Sequence, residues 1–206
     1  MPHNCFISFK KEDIYYRNKI AERLQVDQIK GKSLDKWIDS DDIDYVMQVI
    51  RRDYMASTSV TIFLIGKHSS ENEGKDTYGR DINAFIKREL QATLYDGKGF
   101  RRSGLLGIVL PEMEKAIYGG KNYCDKCGRN HIIIRINDDT VIREFSANYY
   151  LRSHTDGCGN YYNEEDCFCV IARYSEFMND PDRYIDQAYD KLNQEINDYV
   201  HWRNLR

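Results

Sequence analysis

Ser59-Val60-Thr61-Ile62-Phe63-Leu64-Ile65-Gly66 is a nearly unbroken apolar, β-branched run. A run of this kind reads as a strand buried on both faces, the mark of a parallel sheet covered by helices on each side. A polar loop over 67–80 follows, and then a helical pattern from Asp81 to Tyr95. On that helix Ile82, Phe85, Ile86, Leu90 and Leu94 form one apolar arc at about 100° per residue. Glu89 projects inside the arc, about 20° from Ile82 on the same wheel. A carboxylate where Leu or Val is expected is the most informative residue of the chain, because charged groups are rarely buried without a partner or a purpose.

Working outward, Cys5 to Phe9 reads as a short first strand, and Glu12 onward as a helix with Tyr16, Ile20 and Leu24 one above another. Gly31 breaks that pattern, and Ser33 to Ile38 is a weaker second strand. Asp39-Ser40-Asp41-Asp42 supplies capping oxygens for a helix carrying Ile43, Val46, Met47, Ile50 and Tyr54. Beyond the Glu89 helix, Asp96-Gly97-Lys98-Gly99 is a stop signal, and Leu105 to Leu110 is another buried-type strand ended by Pro111. This alternation of strands and helices, with right-handed crossovers, predicts a mostly parallel sheet between two helical layers. Residues 112–166 leave that rhythm. They are rich in Gly, Asn, Tyr and Cys, contain one more strand candidate (Ile132 to Ile136), and read as an inserted subdomain or lid within a single domain over 1–206. The main fold resumes between Cys167 and Tyr174, giving a fifth strand. It closes with a helix capped by Asp180, with Pro181 first and Ile185, Ala188, Leu192, Ile196 and Tyr199 inward.

A net charge of −3 offers no general attraction for nucleic acid or anionic lipid. The apolar runs are strand length, far short of a membrane span, and the first residues do not read as a secretory leader. A cytoplasmic setting is therefore expected. The six cysteines are then expected as metal ligands or free thiols before disulfides.

In such sheets ligands bind at the carboxyl ends of the strands. The loops there are 10–13, 39–42, 67–80 and whatever follows Pro111. The basic loop Lys98-Gly99-Phe100-Arg101-Arg102 leads into a strand, so it belongs to the opposite edge and reads as solvated. Several common tenants are excluded. No G-x-G-x-x-G follows the first strand and no P-loop is present. Gly66 stands where a phosphoacceptor Asp would be needed, and the G-x-S-x-G elbow is missing.

What remains resembles a TIR domain, specifically the bacterial TIR-like branch found in Thoeris antiphage defence. Three stretches carry the resemblance: Phe6-Ile7-Ser8-Phe9-Lys10 followed by Glu12-Asp13; Thr58-Ser59-Val60-Thr61 with Leu64-Ile65-Gly66; and Phe85-Ile86-Lys87-Arg88-Glu89-Leu90. It covers about Met1 to Pro111, plus the last helix. Phe85 stands where that branch has Trp, the loop over 67–80 is longer, and the cysteine-bearing segment is outside the common pattern. The resemblance implies a flavodoxin-like, three-layer α/β fold around a central five-stranded sheet. It also implies cleavage of the nicotinamide–ribose bond of NAD, with Glu89 as the catalytic residue. Trp37 and Asp39 sit where the family places a Trp and an acidic residue. Ser8, Phe9 and Lys10 join them as substrate-binding candidates by position, Phe9 and Trp37 for a ring and Lys10 for a phosphate oxygen. The implied product, ADP-ribose or a cyclic isomer, would be a signal read by a separate effector protein. The alternative is a TIR-like module without catalysis that acts by self-association, by docking a partner or by nucleotide recognition. One geometric condition follows: a helix starting at Asp81 puts Glu89 about 12 Å along its axis. It must therefore begin well above the sheet for Glu89 to reach the carboxyl edge.

Cys124-Asp125-Lys126-Cys127-Gly128 has the form of half a zinc knuckle. Cys158 and Cys167 are the candidates for the second half, with His131 and His154 as substitutes and free reduced thiols as the other reading. Cys5, inside the first strand, is expected as a small buried residue.

Overall fold

The computed structural model describes residues 3–24, 28–70, 74, 75, 77, 79, 83–152 and 164–203. Its centre is a parallel sheet in the order β1-β2-β3-β6, formed by β1 (Cys5–Ser8), β2 (Val60–Ile65), β3 (Gly104–Val109) and β6 (Val170–Arg173). Phe63 lies opposite Ser8, Ile65 opposite Val109, and Val109 opposite Arg173, so the four carboxyl ends form one edge. Every residue of β1, β2 and β3 is buried, as strands covered on both faces require.

Alternation along the strands sorts the core into two layers. Ile62, Leu64, Leu106 and Ile108 pack with Ile20 and Leu24, and with Ile185 and Ala188 of α7 (Pro181–Asp190). Ile20 lies on α1 (Ile14–Arg23). On the other face Phe63, Ile65, Leu105 and Val109 meet Ile86, Leu90 and Leu94 of α3 (Ala84–Leu94). Beside them Phe6 packs against Val46, Met47 and Ile50 of α2 (Ile43–Asp53). The Asp42 side chain caps α2 by accepting from Tyr45 N.

The sheet has four strands among the described residues, where five were expected. Ser33 to Ile38 is not a strand; what remains of one is a single parallel bridge between Cys5 and Ile29. The backbone donors explain why. Lys32 N bonds Tyr54 O at 3.0 Å, and Leu34 N bonds a side chain of α3. Those N–H groups are thus withdrawn from any ladder with β1. Gly31 turns the chain here at φ +79°, and a Cβ would lie 2.1 Å from Tyr54 O.

The expected insertion divides in two. Tyr118–Cys124 (β4) and Arg129–Ile134 (β5) form an antiparallel hairpin with little burial, preceded by the short α4 (Glu114–Ile117). After the hairpin, Ile136, Val141, Ile142 and Phe145 join the main core around α5 (Arg143–Ser146), so this half packs as part of the domain. Gly107 of β3 makes room for it: a Cβ there would lie 2.6 Å from the Phe145 ring. The short α6 (Tyr174–Asn179) follows β6. The final helix stops at Asp190 and continues as two 3-10 turns, 191–193 and 195–199, which still bury Ile196 but leave Tyr199 exposed, contrary to expectation. No helix among the described residues is long and apolar enough to cross a membrane.

Candidate functional site

The site is assembled where β1 ends. Ser8, the last residue of β1, donates its hydroxyl to Glu89 Oε2 at 2.7 Å. Leu34 N donates to Glu89 Oε1 at 2.7 Å. Asn83, in the left-handed conformation at φ 61°, precedes Ala84, the first residue of α3. Glu89 thus lies about 7.5 Å along the helix axis from Ala84 at 1.5 Å per residue. The contact with Ser8 meets the geometric condition, and Glu89 reaches the carboxyl edge. Asp81 and Ile82 lie outside the described residues.

Glu89 is 2% exposed, and both groups that hold it are neutral. Burial pushes its carboxyl up to about 7, against the lowering effect of the bonds from Ser8 and Leu34. A carboxyl so placed is poised to change protonation near neutrality.

The segment that donates Leu34 N carries Trp37 back over α3. The Trp37 ring meets Phe85 edge-on, with centroids 6.1 Å apart. The Arg88 guanidinium lies 4.4 Å over the same indole. Arg88 Nη1 is buried with no hydrogen-bond partner among the described residues. Glu89, Arg88, Phe85 and Trp37 therefore belong to one neighbourhood. Lys10 Nζ reaches the His68 carbonyl at 3.4 Å, and Asn83 Nδ2 reaches the same oxygen at 3.3 Å, tying the exit of β1 to the loop after β2. Phe9 is half-buried against the α1 side of the core, with Arg17 5.9 Å from its ring centroid. Asp39 is exposed in the loop leading to α2.

A second buried carboxyl stands at the same edge. Asp13 fits against Gly66, where a Cβ would come within 2.4 Å of Asp13 Oδ2, and that oxygen has no hydrogen-bond partner among the described residues. Burial pushes Asp13 up to about 6, helped by the charges of Glu112 and Glu12 and opposed by His68 and Lys10. Sequence reading passed over it as a site residue. The available signal was the pair formed by an Asp just before an amphipathic helix and a Gly closing a buried strand.

The described cysteines separate into two environments. Sγ of Cys124, Sγ of Cys127 and the His131 ring lie with their ligand atoms within 4.8 Å of one another. Backbone N–H groups of Cys127 and Lys126 bring the Cys124 thiol down to about 7, burial opposing them. Cys167 is not in that group. It is buried in the core with Cys169, its thiol pushed up to about 12 by burial. Cys158 and His154 lie outside the described residues. Cys5 is buried, as expected.

A parallel α/β sheet with a buried carboxyl at its carboxyl edge is the arrangement expected of a TIR-like domain. The family model for the TIR-like domain of the Thoeris protein ThsB matches residues 6–115, more than half of the chain, and the chain belongs to that family, whose setting is antiphage defence. The match ends inside α4, and the hairpin, β6 and the helices after it lie beyond the matched residues. No curated protein matches the chain.

Proposed function

We propose that this protein is a TIR-type enzyme that cleaves the nicotinamide–ribose bond of NAD. Glu89 is the catalytic group. The observation that carries the reading is the Glu89 carboxyl at the end of β1, held by two neutral donors. Nicotinamide leaves a cationic parent as a neutral molecule, so departure needs no general acid, and one carboxylate can serve where most glycosidases use two. Ionised Glu89 hydrogen-bonds the ribose hydroxyls and stabilises the positive charge that develops on the sugar. Substrate hydroxyls replace Leu34 N–H on Oε1, while Ser8 continues to fix Oε2. Trp37 offers a ring face, and Nη1 of Arg88, which has no hydrogen-bond partner among the described residues, offers a donor for phosphate. Attack by water gives ADP-ribose, and attack by a group of the same molecule gives a cyclic isomer. Either serves as a cytoplasmic signal for a separate effector.

One observation favours a second reading, a TIR-like module without catalysis. Glu89 is 2% exposed with both oxygens bonded, which suits a carboxyl whose work is to pin the 32–38 segment to α3. Nicotinamide release from NAD separates the two, measured with purified protein and in extracts of phage-infected cells. The enzyme reading expects release by the wild type and none by a folded Glu89→Gln variant. An intact NAD pool with both proteins, or equal release by both, would leave the adaptor reading standing.

A further inference from the structure

The hairpin formed by β4 and β5 poses a physical problem that its own residues do not solve. Its strands bury little, and Tyr123 and Ile132 stand 59% and 66% exposed. Its base packs on the core through Tyr118 and Ile134; toward the tip burial is slight, and a two-stranded hairpin without such packing is marginal in water. Three ligand-bearing side chains nevertheless converge at its tip.

The convergence follows from turn and register. Gly128 adopts φ +67°, which a residue with a side chain rarely takes, and its N–H bonds Cys124 O at 2.8 Å. That reversal folds Cys127 back beside Cys124. Across the ladder Cys124 pairs with Arg129 and Asn122 with His131. Alternate residues share a face, so His131 and Cys124 are diagonal neighbours on one face. Cys127 Sγ lies 3.0 Å from His131 Nε2. Two thiols and an imidazole with ligand atoms within 4.8 Å of one another are spaced to close around one ion.

We propose that Cys124, Cys127 and His131 bind a zinc ion that rivets the hairpin tip. Two sulfurs and one nitrogen in a compact triangle suit a tetrahedral, borderline-soft cation and exclude calcium or magnesium, which demand oxygen. Binding displaces the thiol protons to solvent, and no redox step is involved. Cys124 and His131 both line a cleft of about 1050 Å³, which Arg183, Tyr184 and Gln187 line as well. Water from that cleft fills the fourth position. The ion thereby also sets the shape of the cleft wall. This site is independent of the Glu89 chemistry, and its test needs no NAD.

The test uses the full chain, purified under reducing conditions without chelator. Elemental analysis and native mass spectrometry are expected to find stoichiometric zinc. Replacement by cobalt is expected to give a thiolate-to-cobalt charge-transfer band, and Cys124 and Cys127 should resist alkylation until a chelator is added. Cys127→Ser and His131→Ala should each weaken zinc binding about a hundredfold. The alkylation pattern is read on the wild type, so the outcome does not depend on a variant that folds. A wild type that takes up neither zinc nor cobalt, with both cysteines alkylated equally fast with and without zinc, overturns the proposal and leaves only a thiol–imidazole hydrogen bond. Retention of the metal by a Cys124→Ser/Cys127→Ser variant overturns it as well.

Discussion

Ser8 and Glu89 are 81 positions apart in the chain, yet the Ser8 hydroxyl sits 2.7 Å from Glu89 Oε2 inside the protein. The bond joins the end of the edge strand β1 to the second turn of α3 and gives a buried carboxyl one of its two donors. Because the group is desolvated, the geometry of those donors decides how much charge it can carry.

Ser8→Ala removes that donor without enlarging any side chain. It strands Oε2 in the interior, at a cost of about 1–3 kcal/mol. Chemical denaturation near neutral pH should show that loss. On the enzymatic reading the midpoint of the pH–rate profile also moves upward, because the neutral carboxyl is then favoured further. An unchanged midpoint would mean that another group governs the rate.

Glu89 ties stability to pH in the direction opposite to an ordinary surface carboxylate. Its folded-state value of about 7 lies above its usual 4.5. Between those values the folded chain holds a proton that the unfolded chain has released, so stability falls as pH rises. Above about 7 both states are ionised, and the loss is complete. Its size is on the order of 3 kcal/mol. Asp13 acts in the same sense between its usual 3.8 and about 6. Denaturation midpoints from pH 4 to pH 9 should therefore decline toward neutrality, and Glu89→Gln should flatten the upper part of the decline. NAD cleavage should climb through the same interval as the carboxylate forms. A wild type whose stability rises from pH 5 to pH 7 would contradict the assignment.

How much of this could be read from the chain alone depended on how local each cause was. Val60–Ile65 and Gly104–Val109 were legible because their own side chains state that both faces are covered. Glu89 was legible as a carboxyl on an apolar arc. Ser33 to Ile38 misled because its pattern suits a strand, while the destination of the Leu34 N–H, a side chain 55 positions away, is invisible to any local pattern. The last helix misled for the reverse reason: its periodicity runs on through Leu192 and Ile196, and two 3-10 turns keep Ile196 buried after the α-helix has ended. Asp13 against Gly66 joins the turn before α1 to the residue after β2, far apart in sequence, so neither residue alone announced it.

That contact makes Gly66 sensitive to a single methyl group. In Gly66→Ala the new Cβ would stand 2.4 Å from Asp13 Oδ2, so one of the two must shift. A loss of about 1–3 kcal/mol is expected from such overpacking. Asp13→Ala in the same chain should recover much of it, because the obstructing oxygen is gone. A double-mutant cycle measures the coupling. Additive losses from the two substitutions would show that Asp13 does not occupy the space Gly66 leaves.

Trp37 separates binding from chemistry. The residue is 40% exposed, with Arg88 4.4 Å over its ring and Phe85 against the ring edge. Trp37→Ala gives up an exposed cation–π contact of about 0.5–1 kcal/mol, so the fold should lose about 1 kcal/mol and remain intact at room temperature. If the ring is a platform for NAD, the variant raises KM about tenfold with kcat little changed, the pattern of a contact made equally in ground and transition states. Trp37→Phe, which keeps an aromatic face, should restore most of the affinity. A fall in kcat at constant KM would instead assign Trp37 to holding the Leu34 segment, and through it Glu89 Oε1, in place.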